Sequence, residues 1–195
     1  MRPGTVSRGL AAGLGATIAS LITGPPALAH TSACATAPRP ITETSHTEAQ
    51  LAVVCLVNQQ RRGRGLPRLT ENRRLDRAAQ GWTEGMVAAR MFSHGPDFPA
   101  RITAVGFRWS SIGENIATGY ASPAAVVAAW MASPGHCHNI LDPTFRFVGT
   151  GVIDRPIIGF GSGGGTWTQD FALRRGERAP SGNWGPADGC PYGAG

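Results

Sequence analysis

Two stretches decide the fold: residues 112–117, Ile-Gly-Glu-Asn-Ile-Ala, and residues 133–141, Ser-Pro-Gly-His-Cys-His-Asn-Ile-Leu. The first is typical of a β-strand, which begins at its β-branched isoleucine. The second opens with the helix-breaking Ser-Pro-Gly and continues as a short turn of helix. Between them, Ser122-Pro123 supplies an N-cap and a first-turn proline for a helix over residues 124–132. The strand carries a carboxylate and the turn carries two histidines.

Towards the N-terminus, periodicity predicts two longer helices and a short third one. Helix one covers residues 48–62, with Thr47 as N-cap and Gln50 completing a capping box. Helix two begins near Thr70 or Asn72 and ends near Met91. A short helix follows over residues 99–105. The predicted core faces are Leu51, Val54, Cys55 and Asn58 in helix one, and Leu75, Ala78, Ala79, Trp82, Met86 and Ala89 in helix two.

Towards the C-terminus, three runs rich in Val, Ile, Phe, Trp and Thr predict strands over Arg146–Asp154, Ile157–Gly161 and Thr166–Leu173. The glycine-rich residues 161–165 are interpreted as a hairpin loop, since a phosphate-binding loop must open a helix and these precede a strand. Helices followed by consecutive strands indicate an α+β sandwich rather than alternating βαβ units. Trp130 and Trp167 are expected in the core.

The N-terminal segment suggests export. Residues 1–29 combine an arginine-containing start, an apolar stretch and a final Ala-Leu-Ala, which is typical of a cleaved signal peptide. We therefore predict a secreted protein without a membrane span. Residues 30–46 form a flexible leader, residues 47–173 the domain, and residues 174–195 an irregular tail.

Four cysteines, Cys34, Cys55, Cys137 and Cys190, accompany this signal. An even number in an exported chain predicts two disulfides, and three pairings are possible. We favour Cys34–Cys55, which ties the leader to helix one, and Cys137–Cys190, which attaches the tail to the domain.

All 18 basic residues of the chain are arginines, and none is a lysine. A run of seven arginines between residues 61 and 77 is interpreted as a solvated face, with weak attraction to anionic wall polymers as the alternative. The run lacks interleaved aromatic residues, so no nucleic-acid partner is predicted. The arginines of the run are Arg61, Arg62, Arg64, Arg68, Arg73, Arg74 and Arg77.

The order and spacing of several boxes resemble bacterial CAP (SCP-like) domains, relatives of cysteine-rich secretory proteins, insect antigen 5 and plant pathogenesis-related proteins. The resemblance extends over residues 49–173. The boxes are Phe92-Ser93-His94, Gly113-Glu114-Asn115-Ile116, Ser133-Pro134-Gly135-His136, Val148-Gly149-Thr150-Gly151 and Thr166-Trp167-Thr168-Gln169-Asp170-Phe171.

This resemblance implies an α-β-α sandwich with a mainly antiparallel sheet and a cleft near one sheet edge. The cleft would contain His94, Glu114, His136 and Asn115. The first three are candidate ligands for a divalent cation, zinc or a similar ion, because two imidazoles and a carboxylate form a recognised zinc shell. Eukaryotic members have a second acidic residue, but residues 131–133 after Trp130 read Met-Ala-Ser, and Phe147 occupies a position that is often acidic in bacterial members.

Three functions remain open at this stage, and one of them is an extracellular structural or defence protein without a small ligand. The favoured hypothesis is a monomeric module that binds an extracellular ligand, a lipid or a cell-envelope component. The alternative is a metal-dependent hydrolase, protease-like, that uses His94, Glu114 and His136 to hold an ion that activates water. No general base or nucleophile is evident beside these three residues, so no catalytic residue is assigned. Cys137 is interpreted as half of a disulfide, and His138 as exposed.

Overall fold

The computed structural model describes residue 1 and residues 33–161, 163–181 and 189–190. The predicted signal peptide and most of the predicted tail lie outside these residues. Within them, helical residues 33–35 and a short 3-10 helix (Ile41–Glu43) precede five helices and four strands. The helices are α1 (His46–Arg62), α2 (Arg73–Ala89), α3 (Phe98–Ala104), α4 (Pro123–Met131) and α5 (Pro134–Leu141). The strands are β1 (Thr70–Glu71), β2 (Trp109–Tyr120), β3 (Phe147–Ile153) and β4 (Gly165–Arg174).

The described strands form one mixed sheet in the order β1-β3-β4-β2. Strand β4 pairs antiparallel with both β2 and β3, whereas the two-residue β1 pairs parallel with β3. Helices α1, α4 and α5 cover one face of the sheet, and α2 and α3 cover the other. The expected α-β-α sandwich with a mainly antiparallel sheet is confirmed. Strand β2 lies at an edge of the sheet, and its central residues 114–117 are nevertheless buried by the helices on the two faces.

Two glycines of the Val-Gly-Thr-Gly box explain how α2 reaches the sheet. A Cβ atom at Gly149 would overlap the α2 backbone at Leu75 and Asp76. A Cβ atom at Gly151 would overlap the same helix at Ala79. Because successive residues of a strand face opposite sides, these glycines line only the α2 face of β3, while Val148 and Val152 face α1. The close approach therefore requires glycine at both positions.

The start and the face of α1 differ from the prediction. The N-cap is Ser45, whose hydroxyl accepts from the backbone N–H of Glu48 while the Glu48 carboxylate accepts from the backbone N–H of Ser45. A carboxylate makes a stronger capping bond than the amide of Gln50, so the box begins two residues earlier. Leu51 was expected in the core but is exposed, because the buried face of α1 centres on residues 49, 53 and 57.

Three further predictions were wrong. Residues 157–161 form a turn rather than a strand: the Ile157 side chain is buried, and the chain then reverses through Gly159, whose φ is 91°. Ala89 is exposed, because the last turn of α2 extends beyond the sheet. Arg61 does not belong to a solvated face: its side chain is fully buried and donates hydrogen bonds to the carbonyl oxygens of Pro67, Ile140 and Asp142.

Both expected disulfides are present, Cys34–Cys55 and Cys137–Cys190. The first attaches the segment before α1 to that helix, and the second attaches residue 190 to α5. Trp130 and Trp167 are buried in the core on the α1 side, as predicted. None of the helices described is both long enough and apolar enough to span a bilayer.

Candidate binding cleft

The loop after α2 places His94 at the edge of the sheet. Helix α2 ends at Arg90, which adopts the left-handed conformation with φ of 52°. The indole of Trp82 then donates a hydrogen bond to the Ser93 carbonyl oxygen at 3.1 Å. Gly95 has φ of 66° and packs so closely on the Trp82 ring that a Cβ atom would collide with it. The tryptophan and the glycine together fix the loop on either side of His94.

Glu114 of β2 is the centre of the cleft, and both of its carboxylate oxygens are engaged. The Nδ1–H of His94 donates to Oε1 at 2.8 Å, and Arg101 Nη2 donates to Oε2 at 2.6 Å. The Glu114 side chain is nearly fully buried, whereas the His94 ring is about half exposed. Arg101 also donates to the His94 carbonyl oxygen and lies 3.8 Å from the centre of the Trp82 ring. The buried carboxylate of Glu114 is therefore neutralised by the guanidinium of Arg101, which stacks on the Trp82 ring.

A second carboxyl group, Asp170, lies behind Glu114. The two residues are paired across β2 and β4, and both face α2. Asp170 is buried, and its Oδ1 lacks a hydrogen-bond partner among the described residues. Burial raises the pKa of Asp170 well above its ordinary value, and the adjacent Glu114 raises it further. Both effects favour the protonated form of Asp170, which permits two carboxyl groups to lie side by side.

His136 reaches the cleft from the other side of the sheet edge. It lies in α5 and is half-buried. Burial lowers the pKa of His136, and the nearby His94 lowers it further, so its imidazole is neutral at pH 7. A neutral imidazole presents one donor and one acceptor, and can therefore bind a neutral polar group in either orientation.

Asn115 supports the cleft from the opposite face of β2. Its side chain is fully buried, and its amide donates to the His136 carbonyl oxygen at 3.2 Å and to Gln169 Oε1 at 3.3 Å. Asn139 donates in turn to Asn115 Oδ1 and to the Glu114 carbonyl oxygen. These bonds attach α5 to β2. Asn115 therefore positions His136 rather than pointing into the cleft.

The arrangement does not fit the predicted cation. Both Glu114 oxygens already accept hydrogen bonds, so an ion would have to displace Arg101 or His94 to reach them. Among the residues described, no three His, Cys, Asp or Glu side chains group closely enough to hold a metal. The positive guanidinium also opposes a divalent cation at this point. We therefore derive no chemistry through a metal.

An apolar groove lies along β2 and shares His136 with the cleft. It has a volume of about 260 Å³, and His136 lies at its border. Phe92 and Phe160, whose ring centres are 5.9 Å apart, form one wall. The Phe160 side chain is about half exposed although it is aromatic. The other lining residues are Ile116, Ala117, Thr118, Tyr120, Ala129, Trp130 and Ser133.

The sequence analysis missed Arg101, Asn139 and Asp170 as members of the cleft. Two signals were available. Asp170 is the only acidic residue of strand β4, and strands are poor in aspartate. Arg101 is the only charged residue of α3. Neither signal identifies Glu114 as the partner, because Arg101 and Asp170 lie 13 and 56 positions from it along the chain. His138 is exposed, as expected.

The sandwich and the histidine–glutamate pair at its edge are the features of a CAP domain. The model of the CAP family, described as the cysteine-rich secretory protein family, matches residues 54–171. The chain belongs to this family.

Similar proteins come from several bacteria. "Uncharacterized protein YkwD" of Bacillus subtilis (strain 168) is 34% identical over 123 residues, which are 61% of this chain and 45% of YkwD. An extracellular SCP-domain protein of Bacillus anthracis has a TM-score of 0.59 and 26% identity over 66% of this chain and 41% of that one. An outer surface protein of Borrelia burgdorferi has a TM-score of 0.56 and 17% identity over 63% of this chain and 90% of its own, which shows the fold alone. The chain spans less than half the length of the two Bacillus proteins.

Proposed function

We propose that this protein is a secreted binding module that holds a single-chain lipid. The apolar chain would lie in the groove between Phe92 and Phe160, and the polar head would contact His94 and His136. The observation that carries the proposal is the groove itself: a half-exposed aromatic wall and the imidazole of His136 line the same concavity.

The size of the groove suits a small ligand or one end of a chain. Its volume of about 260 Å³ lies just below the ~300–1,000 Å³ typical of pockets for drug-sized molecules. Apolar surface removed from water contributes roughly 25 cal/mol per Å². A ligand that covers Phe160 would therefore gain binding free energy by removing exposed aromatic surface from water.

The charge of the cleft favours an uncharged or weakly charged head group. Arg101 and Glu114 neutralise each other at 2.6 Å. Burial shifts the pKa of Asp170 upward and that of His136 downward, and both shifts favour the uncharged form of the group. A hydroxyl or carboxyl head could donate to or accept from His136 without meeting a net charge.

The hydrolase alternative has less support from the geometry. An ion that activates water would need a free carboxylate ligand, and Glu114 is held by His94 and Arg101. Releasing it would leave Arg101 without its carboxylate partner in a half-buried position, which is costly.

Isothermal titration calorimetry with decanol and decanoic acid tests the proposal. Phe160→Ser should weaken binding about tenfold, because the apolar contact area of the wall is lost. Ile158→Ser is the matched control, since Ile158 is a more exposed apolar residue two positions away that does not line the groove. His136→Ala should weaken binding of both ligands.

Two results would overturn the proposal. One is equal affinity of wild type and Phe160→Ser for both ligands, or no binding at all. The other is hydrolysis of a peptide or ester substrate that requires added zinc and is abolished by His136→Ala, because it would assign the cleft to the alternative function.

A further inference from the structure

A second site lies at the opposite end of α3 from the cleft, where four arginines border one pocket. Arg73 and Arg74 begin α2, Arg108 precedes β2, and Arg174 ends β4. The pocket has a volume of about 490 Å³, and we call it the arginine pocket. Its remaining lining residues are Asn72, Gly106 and Phe107.

The fold brings these arginines together from three separate segments. Arg108 and Arg174 are adjacent because β2 and β4 are paired there, and the Arg175 N–H donates to the Arg108 carbonyl oxygen at 2.8 Å. Arg74 joins them through its guanidinium, which donates to the Gly106 carbonyl oxygen at 2.7 Å. The pocket is therefore a product of the tertiary structure and not of the arginine run in the sequence.

The positive charge of the pocket is compensated by few close ion pairs among the described residues, and Arg73 also interacts electrostatically with the carboxyl group of Asp76. In the part of the chain that the structure describes, Arg73, Arg74 and Arg108 form no ion pair with a carboxylate. Arg174 has a long contact of 3.6 Å with Glu177, and both side chains are more than a third exposed, so its stabilising effect is small. Four like charges around one concavity repel each other unless an anion lies between them.

Two of the four guanidinium groups are held in place before any ligand arrives. The Arg174 group lies 4.6 Å from the centre of the Phe147 ring and 5.5 Å from that of Phe107. The Arg74 group is fixed by Gly106. Groups that are already ordered lose less side-chain entropy on binding. Guanidinium groups also match the oxygens of a phosphate with two parallel hydrogen bonds.

We infer that the arginine pocket binds the phosphate groups of an anionic phosphodiester polymer of the cell envelope. The pocket is much larger than one phosphate, and Arg77 extends the exposed basic surface along α2 by one turn. A chain of regularly spaced phosphates fits such a surface better than a single ion. A nucleic acid fits less well, because Phe107, the aromatic residue that lines the pocket, is buried and cannot stack on a base.

Binding of fluorescently labelled poly(glycerol phosphate), measured by anisotropy in low and moderate salt, tests the inference. The double variant Arg73→Gln/Arg108→Gln should lose affinity at least about tenfold and show a smaller salt dependence. The control, Arg62→Gln/Arg155→Gln, removes the same charge from exposed arginines elsewhere, and its affinity should change less than about twofold. Melting temperatures of the variants verify that both remain folded.

Competition experiments identify the source of the phosphate. Monomeric glycerol phosphate should compete only at much higher concentration than the polymer, and single-stranded DNA of equal charge should bind more weakly. The inference is overturned if the polymer does not bind, if both double variants lose affinity equally, or if the monomer or the DNA binds as tightly as the polymer. None of these measurements involves the apolar groove, so this inference and the proposed function fail separately.

Discussion

Replacing Asp76 with asparagine is expected to stabilise the protein above neutral pH and to leave its stability near pH 4 almost unchanged. Asp76 lies in the first turn of α2, pressed against β3 where glycine allows close contact. Its Oδ1 accepts a hydrogen bond from the Thr150 N–H at 2.9 Å. Burial, opposed in part by this hydrogen bond and reinforced by nearby Glu71, raises the pKa of Asp76 from 3.8 to about 7.

The sign of the effect follows from proton binding. Between pH 3.8 and about 7, the native state retains a proton that the unfolded chain releases, so stability falls as the pH rises through this window. The loss is complete above the native pKa and absent below the unfolded one. Each pKa unit corresponds to about 1.4 kcal/mol, which sets an upper bound of ~4 kcal/mol. Solvent screening and the loss of a favourable charge near the helix N-terminus reduce the expected gain to about 2 kcal/mol.

Urea unfolding of wild type and Asp76→Asn, with the disulfides intact, measures this gain between pH 4 and pH 8.5. Asparagine retains the oxygen that accepts from Thr150 and removes the charge. Asp154→Asn is the control, because Asp154 is exposed, and the free energy of unfolding should change by less than about 0.5 kcal/mol at every pH. The reasoning fails if Asp76→Asn is less stable than wild type at pH 8.5, or if its gain is the same at pH 4.

Two further substitutions test the packing. Gly151→Ala should lower the free energy of unfolding by about 3 kcal/mol, because the new Cβ atom would overlap the α2 backbone at Ala79. Gly135→Ala is the control, since a Cβ atom there has open space. Equal urea midpoints for the two variants would refute the close contact at Gly151. Arg61→Met should cost about 3 kcal/mol, since three backbone carbonyl oxygens lose their donor. Thermal melting measures this loss, and a melting temperature equal to that of wild type would contradict it.

The sequence predicted the elements of the fold where the pattern was long or the boundary chemistry was specific. Helix α4 begins at Pro123 because Ser122 is a strong N-cap, and its observed range differs from the prediction by one residue at each end. The prediction failed where local signals compete. Two overlapping capping boxes were available before α1, and the difference between them depends on whether the partner is a carboxylate or an amide.

The contacts of the candidate cleft were likewise predictable only in part. The resemblance of the sequence to CAP domains predicted that His94 and Glu114 meet, and the two side chains are hydrogen-bonded. Their neighbours were not predictable, because Arg101 and Asp170 reach Glu114 through the approach of α3 and the register of β4. Those neighbours decide the chemistry, since a carboxylate held by a guanidinium is a poor ligand for a cation.

The sequence alone determined the five helices, the three longer strands, the family and the supply of polar side chains, because these depend on local periodicity, capping and motif spacing. The tertiary structure decided which arginine is buried, which arginines surround a pocket and which carboxyl group keeps its proton. Arg61 and Arg73 are alike in the sequence, yet one lies in the core and the other lines the arginine pocket. The free energy of a charge depends on the water, dipoles and charges around it, and these are set only when distant segments pack together.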